Sequence, residues 1–562
     1  MAIEKRRLGN ILVNAGKITS FQLQEALKAQ KSLGKKLGEI LVDSKIITED
    51  EIIEAIEQQT GIKKIDLNTI EFNRKAISLI PENLCKKYTL IPFGFENNRI
   101  KVTLADPLNI FAIDDVAIST GFEIESFISR KADINKYIGI YYSSQQVDNA
   151  AIQLSKESTK ALKKAKENVD VISDVNSAPV VRMVDYMFKN SIELKASDIH
   201  IEPFENEIRI RYRIDGKLRT INKLGIESLA PLVTRIKIMA GLNIAEKRIP
   251  QDGKIMIKVD DKEVDLRISV LPVVFGEKVV IRILNKGSGI IRKEDLGMDE
   301  ENIKKVNRII SNPHGIILVT GPTGSGKSTT LYSILSELNS NELNIITVED
   351  PVEFTMNGIN QVNVNEKAGL TFASGLRSIL RQDPDIVMIG EIRDEETAEI
   401  AIRAAITGHL VLSTLHTNDA PSSIARLIDM GIKPYLVSTS VAGIIAQRLV
   451  RKICSNCKTS YEASDYEKRI LGQDINDKLI LYKGCGCGYC QETGYTGRIG
   501  IYEIMELTRK HRQAIDSEAT SDVLRDIGIE SGMNTLEMEC KKLVLQGVTT
   551  MEEFETITTL EV

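Results

Sequence analysis

The stretch GIILVTGPTGSGKSTTLYSIL, from Gly315 to Leu335, constrains the fold of this 562-residue chain more than any other. An apolar strand, a glycine-rich loop and the start of a helix follow one another, and the loop satisfies the pattern GxxxxGKS. Small residues there let backbone N–H groups surround phosphates, a lysine neutralises their charge, and a serine hydroxyl binds Mg²⁺. The sequence therefore predicts an α/β domain that binds ATP. The predicted ATP-binding residues are Gly321, Pro322, Thr323, Gly324, Ser325, Gly326, Lys327, Ser328 and Thr329.

Three further apolar segments end in polar residues and indicate a catalytic edge in the same domain. The carboxyl ends of parallel strands meet at one edge of a sheet, where α/β ligands bind. Hydrolysis there needs a carboxylate to orient water and cations to neutralise the γ-phosphate. Any one of these carboxylates alone would be interpreted as a solvated loop charge or a helix cap, and His409 as a structural histidine. The candidates are Glu349, Asp350 and Glu353 after NIITV, Glu391 and Arg393 after DPDIVMIG, and His416 after HLVLSTL.

Five of the seven cysteines lie between Cys454 and Cys490, which indicates a metal site. Two CxxC pairs, CSNC and CGYC, supply the thiolate set of a tetrahedral structural zinc site. An iron–sulfur cluster, a redox pair or free thiols are the alternatives. Cys485, two residues before Cys487, could take the place of one of the four ligands. Cys85 and Cys540 are expected to be buried apolar residues. The predicted zinc ligands are Cys454, Cys457, Cys487 and Cys490.

Composition limits the partners and the compartment. Hydrophobic residues make up 42% of the chain, charged residues 27%, and the formal net charge is −5. These values are typical of a soluble globular protein and give no basic excess for nucleic acid or an anionic membrane. The chain has no apolar stretch like that of a signal peptide and no run of about 18 apolar residues. We therefore expect a cytoplasmic protein that is not embedded in a membrane and binds no nucleic acid.

Four motifs together resemble those of the secretion ATPases that drive type II secretion and type IV pili. GPTGSGKST, VEDPVEF, LRQDPDIVMIGEIRD and GHLVLSTLHTNDA are similar to the family's Walker A, Asp box, atypical Walker B and His box. The resemblance implies that Glu353 positions the attacking water, that Glu391 belongs to the Walker B site and that His416 is the box histidine. It also implies that Lys327 and Ser328 meet the ATP phosphates and Mg²⁺.

The same family resemblance extends beyond the phosphate loop. ASDIHIEPFENEIRIRYRIDG is similar to the family's second N-terminal domain, and CxxCxxTGYxGR from Cys487 is similar to its zinc motif. Arg211 and Arg213 lie on the strand of that second domain and are our candidates for charge delivered across a domain or subunit boundary. Two exposed arginines on one face of an alternating strand are the competing interpretation.

The pattern of strands, helices and polar stretches predicts an α/β multidomain chain. The family resemblance implies that a RecA-like P-loop ATPase core with a zinc-binding insertion follows a PAS-like α+β domain and a mainly helical plus α/β N-terminal domain. The expected ranges are a regulatory domain over 1–145, a linker over 146–176, the α+β domain over 177–288 and the ATPase domain over 289–562. The zinc motif occupies 454–490, and helices end the chain.

The N-terminal domain contains a tandem sequence repeat, called the doubled clause below: residues 7–30 and 36–59 match at an offset of 29. Each copy predicts a short helix, a turn and a second helix, and Thr48 with Glu51 predicts a capping box. Shared apolar positions need only a helical core, but the shared polar and glycine identities are not required by one. The arrangement resembles tandem 24-residue motifs that bind cyclic di-GMP in this ATPase family. The implied ligand residues are Arg7, Leu8, Gly9, Leu12, Gly16, Leu27, Gln30, Lys36, Leu37, Gly38, Leu41 and Gln59.

The resemblance implies a homo-hexameric Mg-dependent ATPase that powers type IV pilus assembly through a cytoplasmic-membrane platform protein, regulated by cyclic di-GMP. The zinc motif and the long N-terminal region favour an assembly or secretion motor. Type II secretion is the alternative, because the motor motifs separate the two poorly. A DNA-translocating ring ATPase is a weaker alternative, since no basic patch or nucleic-acid module is present. A vestigial site is opposed by the intact Lys327, Ser328, Glu353 and Glu391.

Overall fold

A computed structural model provides the structure of the chain. It describes residues 8–33, 37–44, 46–68, 70, 72–139, 141–142, 178–259, 262–285 and 292–559. Three sheets with separate hydrophobic cores organise these residues, and a small two-stranded sheet accompanies the last of them. Within the described ranges, no helix combines the length and apolar character needed to cross a membrane.

The N-terminal lobe combines four helices with a small α/β unit. Each copy of the doubled clause forms a short helix followed by a longer one, as predicted, and the four helices share one apolar core. Thr48 and Glu51 form the expected capping box at the start of the fourth helix. The sheet beyond has the order β1-β2-β3. The elements are Leu8–Asn14, Ser20–Leu33, Leu37–Asp43, Glu49–Thr60, Arg74–Leu79, Glu82–Tyr88, β1 Leu90–Glu96, β2 Arg99–Leu104, Ile110–Thr120 and β3 Glu123–Ile128.

The second body is an antiparallel sheet of six strands in the order β6-β5-β4-β9-β8-β7. Burial alternates residue by residue along β5, so its isoleucines face the core and its arginines face outward, as the alternating sequence predicts. Two helices complete the core. The elements are Ala178–Glu193, β4 Asp198–Pro203, β5 Glu207–Ile214, β6 Lys217–Gly225, Leu229–Met239, β7 Gln251–Val259, β8 Lys262–Val273 and β9 Gly276–Asn285.

The third body is built on seven strands in the order β12-β11-β13-β14-β10-β15-β18. Strands β10 to β15 pair in parallel, as the alternation of strands and helices predicts, and β18 adds an antiparallel edge to β15. The central strand β10 is buried along its whole length and leads directly into the glycine loop. The strands are β10 Gly315–Thr320, β11 Ile345–Glu349, β12 Asn360–Asn363, β13 Ile386–Ile389, β14 Leu410–Leu415, β15 Val441–Ile453 and β18 Tyr495–Glu506.

Helices cover both faces of this sheet, and the cysteine excursion leaves it between β15 and β18. The excursion contains the hairpin of β16 Lys458–Glu462 and β17 Ile480–Gly484 with the helix Asp465–Ile470. The remaining helices are Glu300–Ile310, Lys327–Leu338, Phe372–Ile379, Glu395–Ile406, Pro421–Asp429, Pro434–Ser440, Arg509–Asp516, Ser521–Glu530, Leu536–Leu545 and Met551–Thr559.

Candidate functional site

The glycine loop joins β10 to the helix that starts at Lys327, which is the arrangement a phosphate site requires. A Cβ atom on Gly321 would approach the carbonyl oxygen of Gln447 to 2.4 Å, and Gly321 has a φ of +145°. A side chain is therefore excluded at this position by both space and backbone conformation. The buried Ser325 Oγ has no hydrogen-bond partner among the described residues. The loop thus keeps its polar atoms available for a phosphate.

Lys327 is held over the loop by backbone carbonyls, and no carboxylate of the described residues is in direct contact with it. Its Nζ donates hydrogen bonds to the carbonyl oxygens of Gly321 at 2.8 Å and Pro322 at 3.1 Å. Burial lowers the pKa of Lys327 to about 8, although the nearby charge of Glu391 opposes the shift. Arriving phosphate charge would favour the ammonium form. The lysine is therefore placed to respond to phosphate.

The ends of β13 and β14 bring Glu391 and His416 together, as the edge prediction requires. The His416 Nε2 lies 3.1 Å from the Glu391 Oε2, and Arg393 pairs with the other carboxylate oxygen. Glu391 is largely buried, whereas about half of the His416 side chain is exposed. The carboxylate of Glu391 thus contacts the Arg393 guanidinium through one oxygen and the His416 ring through the other.

Glu349 and Glu353 follow the same strand but have different surroundings. Glu349 is only 4% exposed, and both of its oxygens accept hydrogen bonds from neighbouring side chains. Glu353 is partly exposed and faces a cavity of about 1150 Å³ between the second and third bodies. A base must reach water, so the geometry favours Glu353 over Glu349.

Arg267 on β8 reaches across this cavity and is the functional candidate that sequence reasoning missed. Its Nη2 lies 3.0 Å from the Glu353 Oε2, although 86 residues separate the two in sequence. The only signal in the sequence was an arginine in the alternating segment VDLRISV, which any exposed strand face also explains. The pairing depends on how the two bodies face each other, and a strand pattern does not contain that information.

Arg211 and Arg213, the arginines chosen from the sequence, lie on β5 and bind carboxylates of β4. Arg211 forms two hydrogen bonds with Glu202, at 2.7 and 2.9 Å. Arg213 lies 3.4 Å from Asp198 and donates to the carbonyl of Gly216. The structure therefore places both in cross-strand pairs of their own sheet and does not bring them to Glu353.

The two CxxC pairs converge as the spacing predicts. The four sulfur atoms lie within 4.8 Å of one another. Backbone N–H groups of Cys487 and Gly494 each donate to the Cys490 Sγ at 3.2 Å. Burial opposes ionisation of Cys490, but these N–H donors, together with hydrogen bonds from the Cys487 and Cys457 thiols, outweigh it and hold the pKa of the Cys490 thiol below its ordinary value. Cys485 is exposed and lies beside the Thr459 hydroxyl, while Cys85 and Cys540 are buried as expected.

The N-terminal lobe contacts this cysteine excursion. The Lys136 Nζ lies 3.2 Å from the centre of the Tyr489 ring. A Cβ on Gly488 would lie 3.6 Å from the Tyr137 ring, so the two segments are in van der Waals range. The N-terminal lobe and the cysteine excursion therefore share a surface.

The residues proposed for cyclic di-GMP divide into packed and accessible groups. Leu12 and Leu41 are 1% and 0% exposed, so they serve the helical core and offer no surface to a base. Gly9 and Gly38 lie against Leu23 and Ile52, which gives both glycines a packing role. The accessible or partly accessible members are Leu8, Gly16, Leu27, Gln30, Leu37 and Gln59. Arg7 and Lys36 lie outside the described residues.

A glycine loop over a parallel sheet, with carboxylates and a histidine at the same edge, defines a P-loop ATPase with a RecA-like core. The family comparison agrees, because residues 173–556 match the type II/IV secretion system protein family. The chain belongs to this family and is an ATPase. An MshEN domain matches residues 60–148, a range that starts at the end of the doubled clause.

Two curated relatives and one solved structure extend the comparison. The chain is 41% identical over 560 residues to the type IV pilus assembly ATPase PilB of Myxococcus xanthus, covering 97% of this chain and 98% of that protein. It is 47% identical over 422 residues to the type II secretion system protein E of Pseudomonas aeruginosa, covering 74% and 84%. The ATPase DotB of Legionella pneumophila has a similar fold, with 22% identity, a TM-score of 0.51, and coverage of 67% and 95%.

Proposed function

We propose that this chain is the homo-hexameric ATPase motor of type IV pilus assembly and acts on a platform protein at the cytoplasmic membrane. The observation that carries this proposal is the similarity to a pilus assembly ATPase along almost the whole of both chains. Similarity to the type II secretion relative covers less of each chain, which favours pilus assembly over secretion. The domain ranges, including the PAS-like second domain, belong to the same proposal.

In this proposal the loop residues bind ATP and the sheet edge supports hydrolysis. Loop N–H groups and Lys327 hold the phosphates, and Ser328 at the start of the helix would hold Mg²⁺, which neutralises phosphate charge when bound. Glu353 orients the water that attacks the γ-phosphorus, and Arg267 holds that carboxylate in place through a hydrogen bond until ATP arrives. Arg267 can then supply positive charge to the departing phosphate. Glu391 belongs to the Walker B site, and His416 on the neighbouring strand senses the γ-phosphate.

The cysteine motif would hold a structural zinc ion through Cys454, Cys457, Cys487 and Cys490. Four mutually close sulfurs with N–H donors on Cys490 suit a thiolate set, and four protein ligands leave no open position for chemistry. Metal analysis of the purified chain should find one zinc per chain. Cys457→Ser or Cys490→Ser should lose it, with Cys485→Ser as the matched control that keeps it. Iron in place of zinc, or no metal, would refute this assignment.

The N-terminal lobe would bind cyclic di-GMP, a ligand with two identical guanylate halves, through the doubled clause. Arg7 can form paired hydrogen bonds with a guanine edge, while Lys36 lacks the planar fork, so the second half would bind more weakly. Calorimetry on the full chain should show binding that Arg7→Ala weakens strongly. The adjacent Arg6→Ala is the matched control and should bind like the wild type. Absence of binding at high micromolar ligand would contradict this regulation and leave the motor proposal intact.

The motor proposal is tested by separating ATP binding from turnover. Lys327→Ala should lose tight ATP binding, because the lysine meets charge already present in the ground state. Glu353→Gln should still bind ATP but lose about 10²- to 10⁴-fold in turnover, since a base acts only on the reacting water. Both variants should fail to restore pili in a strain that lacks this ATPase. Pili restored by Glu353→Gln with undiminished ATPase activity would overturn the assignment.

A further inference from the structure

Tyr332 occupies a position between the phosphate loop and the loop that carries Glu353. It lies on the helix Lys327–Leu338, and only 3% of its surface is exposed. Its hydroxyl donates a short hydrogen bond to the buried carboxylate of Glu349. The same oxygen accepts the backbone N–H of Glu353 at 3.2 Å and is 3.5 Å from that of Phe354. The Tyr332 hydroxyl therefore contacts the Glu349 carboxylate and the N–H groups of Glu353 and Phe354, all within residues 349–354, called the base segment below.

The hydrogen-bond directions in this cluster are fixed by Glu349. Its Oε1 accepts from the Thr347 hydroxyl at 2.6 Å and from the Gln361 amide at 3.2 Å. The other carboxylate oxygen, Oε2, accepts the hydrogen bond that the Tyr332 hydroxyl donates. The lone pairs of the phenol oxygen are consequently directed to the N–H groups of residues 353 and 354. Burial raises the pKa of Tyr332, so the hydroxyl keeps its proton at working pH.

Packing reinforces these hydrogen bonds. The rings of Tyr332 and Phe354 meet edge to face, with centroids 5.7 Å apart and an angle of 88° between planes. Gln361 continues the cluster by donating to the Phe354 carbonyl at 2.9 Å. The base segment is therefore held at its backbone, and the Glu353 side chain lines the cavity, where it contacts Arg267.

We propose that Tyr332 is a positioning residue for ATP hydrolysis: it fixes the backbone of Glu353 to the phosphate-loop helix and so sets the distance between the base and the bound γ-phosphate. Glu349, which the sequence offered as a second candidate base, acts in this scheme as the acceptor that orients the Tyr332 hydroxyl. The inference rests on Glu353 being the base. It assigns no contact between Tyr332 and the nucleotide.

The expected consequence is a loss of turnover without a matching loss of ATP binding. Tyr332→Phe keeps the ring and its packing but removes the one acceptor that the described residues offer to both N–H donors. A displacement of about 1 Å in a reacting group costs on the order of 100-fold in rate. We therefore expect Tyr332→Phe to lower kcat about 10- to 100-fold. The KM for ATP and the affinity for a fluorescent ATP analogue should stay within about threefold of the wild type.

Tyr212→Phe supplies a matched control in the same full-length chain. Tyr212 is similarly buried, and its hydroxyl also donates one hydrogen bond, in this case to the backbone carbonyl of Met187, but it lies in the core of the second body. Its loss should leave kcat and KM unchanged. Equal kcat in Tyr332→Phe and the wild type would overturn the proposal. So would a weakening of ATP affinity as large as the loss in kcat, because that indicates a distorted phosphate loop.

A double-mutant comparison separates this inference from the proposed function. If Tyr332 acts through Glu353, adding Tyr332→Phe to Glu353→Gln should cause no further loss of residual turnover. Losses that multiply would mean that Tyr332 acts elsewhere and would refute the inference. A Glu353→Gln variant with wild-type turnover would instead refute the base assignment itself. An inactive Glu353→Gln together with a fully active Tyr332→Phe would refute only the positioning role.

Discussion

The phosphate loop and the doubled clause are the two most strongly patterned stretches of this chain, and the structure uses their patterns differently. In the loop, glycines make room beside Gln447, and the buried hydroxyl of Ser325 has no partner among the described residues. In the doubled clause, side chains of the same chain fill the space beside the repeated glycines. A Cβ on Gly9 would meet Leu23 at 2.6 Å, and one on Gly38 would meet Ile52 at 3.2 Å. The first pattern leaves groups for a ligand, whereas most of the second is used for packing.

The repeat extends to the helix caps. Thr19 and Gln22 exchange hydrogen bonds at the start of the second helix, and Thr48 and Glu51 do the same at the start of the fourth. Both pairs are related by the same offset of 29. Matching glycines, leucines and caps therefore explain much of the sequence repeat without a ligand. Among the described residues, the shared identities that packing does not require include the partly exposed Gln30 and Gln59.

The largest effect in this comparison is expected in the ATPase domain, at the arginine that contacts Glu353. Arg267→Ala should lower kcat about 100-fold, because a positioned cation contributes this much where charge develops. Arg209→Ala is the control, since Arg209 pairs with Glu207 on its own strand. Steady-state ATPase assays decide the outcome. A larger loss of kcat in Arg211→Ala than in Arg267→Ala would contradict this prediction and favour Arg211, which was chosen from the sequence, as the catalytic cation.

The next effect tests whether the repeated glycine is needed for packing. Gly9→Leu should destabilise the four-helix unit by about 1–3 kcal/mol, because added methylenes have no space beside Leu23. Asn10→Leu places the same side chain at the exposed neighbouring position and should change stability little. Hydrogen exchange of residues 8–33 measures both. If Gly9→Leu leaves protection from hydrogen exchange unchanged, packing does not require the glycine, and a role in ligand binding would be favoured instead.

A smaller effect is expected at the caps. Thr48→Ala should cost about 1 kcal/mol in local stability, since an unpaired N–H is left at the start of the helix. Thr19→Ala should cost a similar amount if the copies are structurally equivalent. Hydrogen exchange in the first turn of each longer helix provides the comparison, and a loss confined to one copy would show that the repeat is not symmetric.

The smallest effect distinguishes the copies by pH. The Lys17 ammonium, together with Thr48, holds the pKa of Glu51 at about 2. Because this folded-state pKa lies below the unfolded value of about 4.3, the stabilisation is complete above that value and is lost as pH falls towards 2. Gln22, the matching residue, cannot ionise. Carboxyl NMR should show a low-pH midpoint for Glu51, and exchange between pH 5 and 2 should rise in the second copy alone. A midpoint near 4.3 would contradict the pairing.

Local patterns were sufficient where each function depends on neighbouring residues. The phosphate loop, the alternation of β5, the capping box at Thr48 and the CxxC pairs all follow from spacing within a few residues, and the structure forms each element as expected. The meeting of Glu391 and His416 at one sheet edge could also be predicted from the sequence, because parallel strands bring their carboxyl ends together whatever the strand order. Cys485 could not be separated from the ligands by count alone, and the fold separates it by exposure.

The sequence by itself determined which residues have the chemistry: a lysine after glycines, carboxylates and a histidine after apolar strands, and thiols in pairs. Tertiary structure decided which of them meet. Arg267 reaches Glu353 and Tyr332 holds its backbone only because separate segments face one another across a cavity and a helix. Leu12 and Leu41 are removed from any ligand surface by helix packing. Such choices depend on distances between segments that are remote in sequence, whereas periodicity and spacing report only on neighbours along the chain.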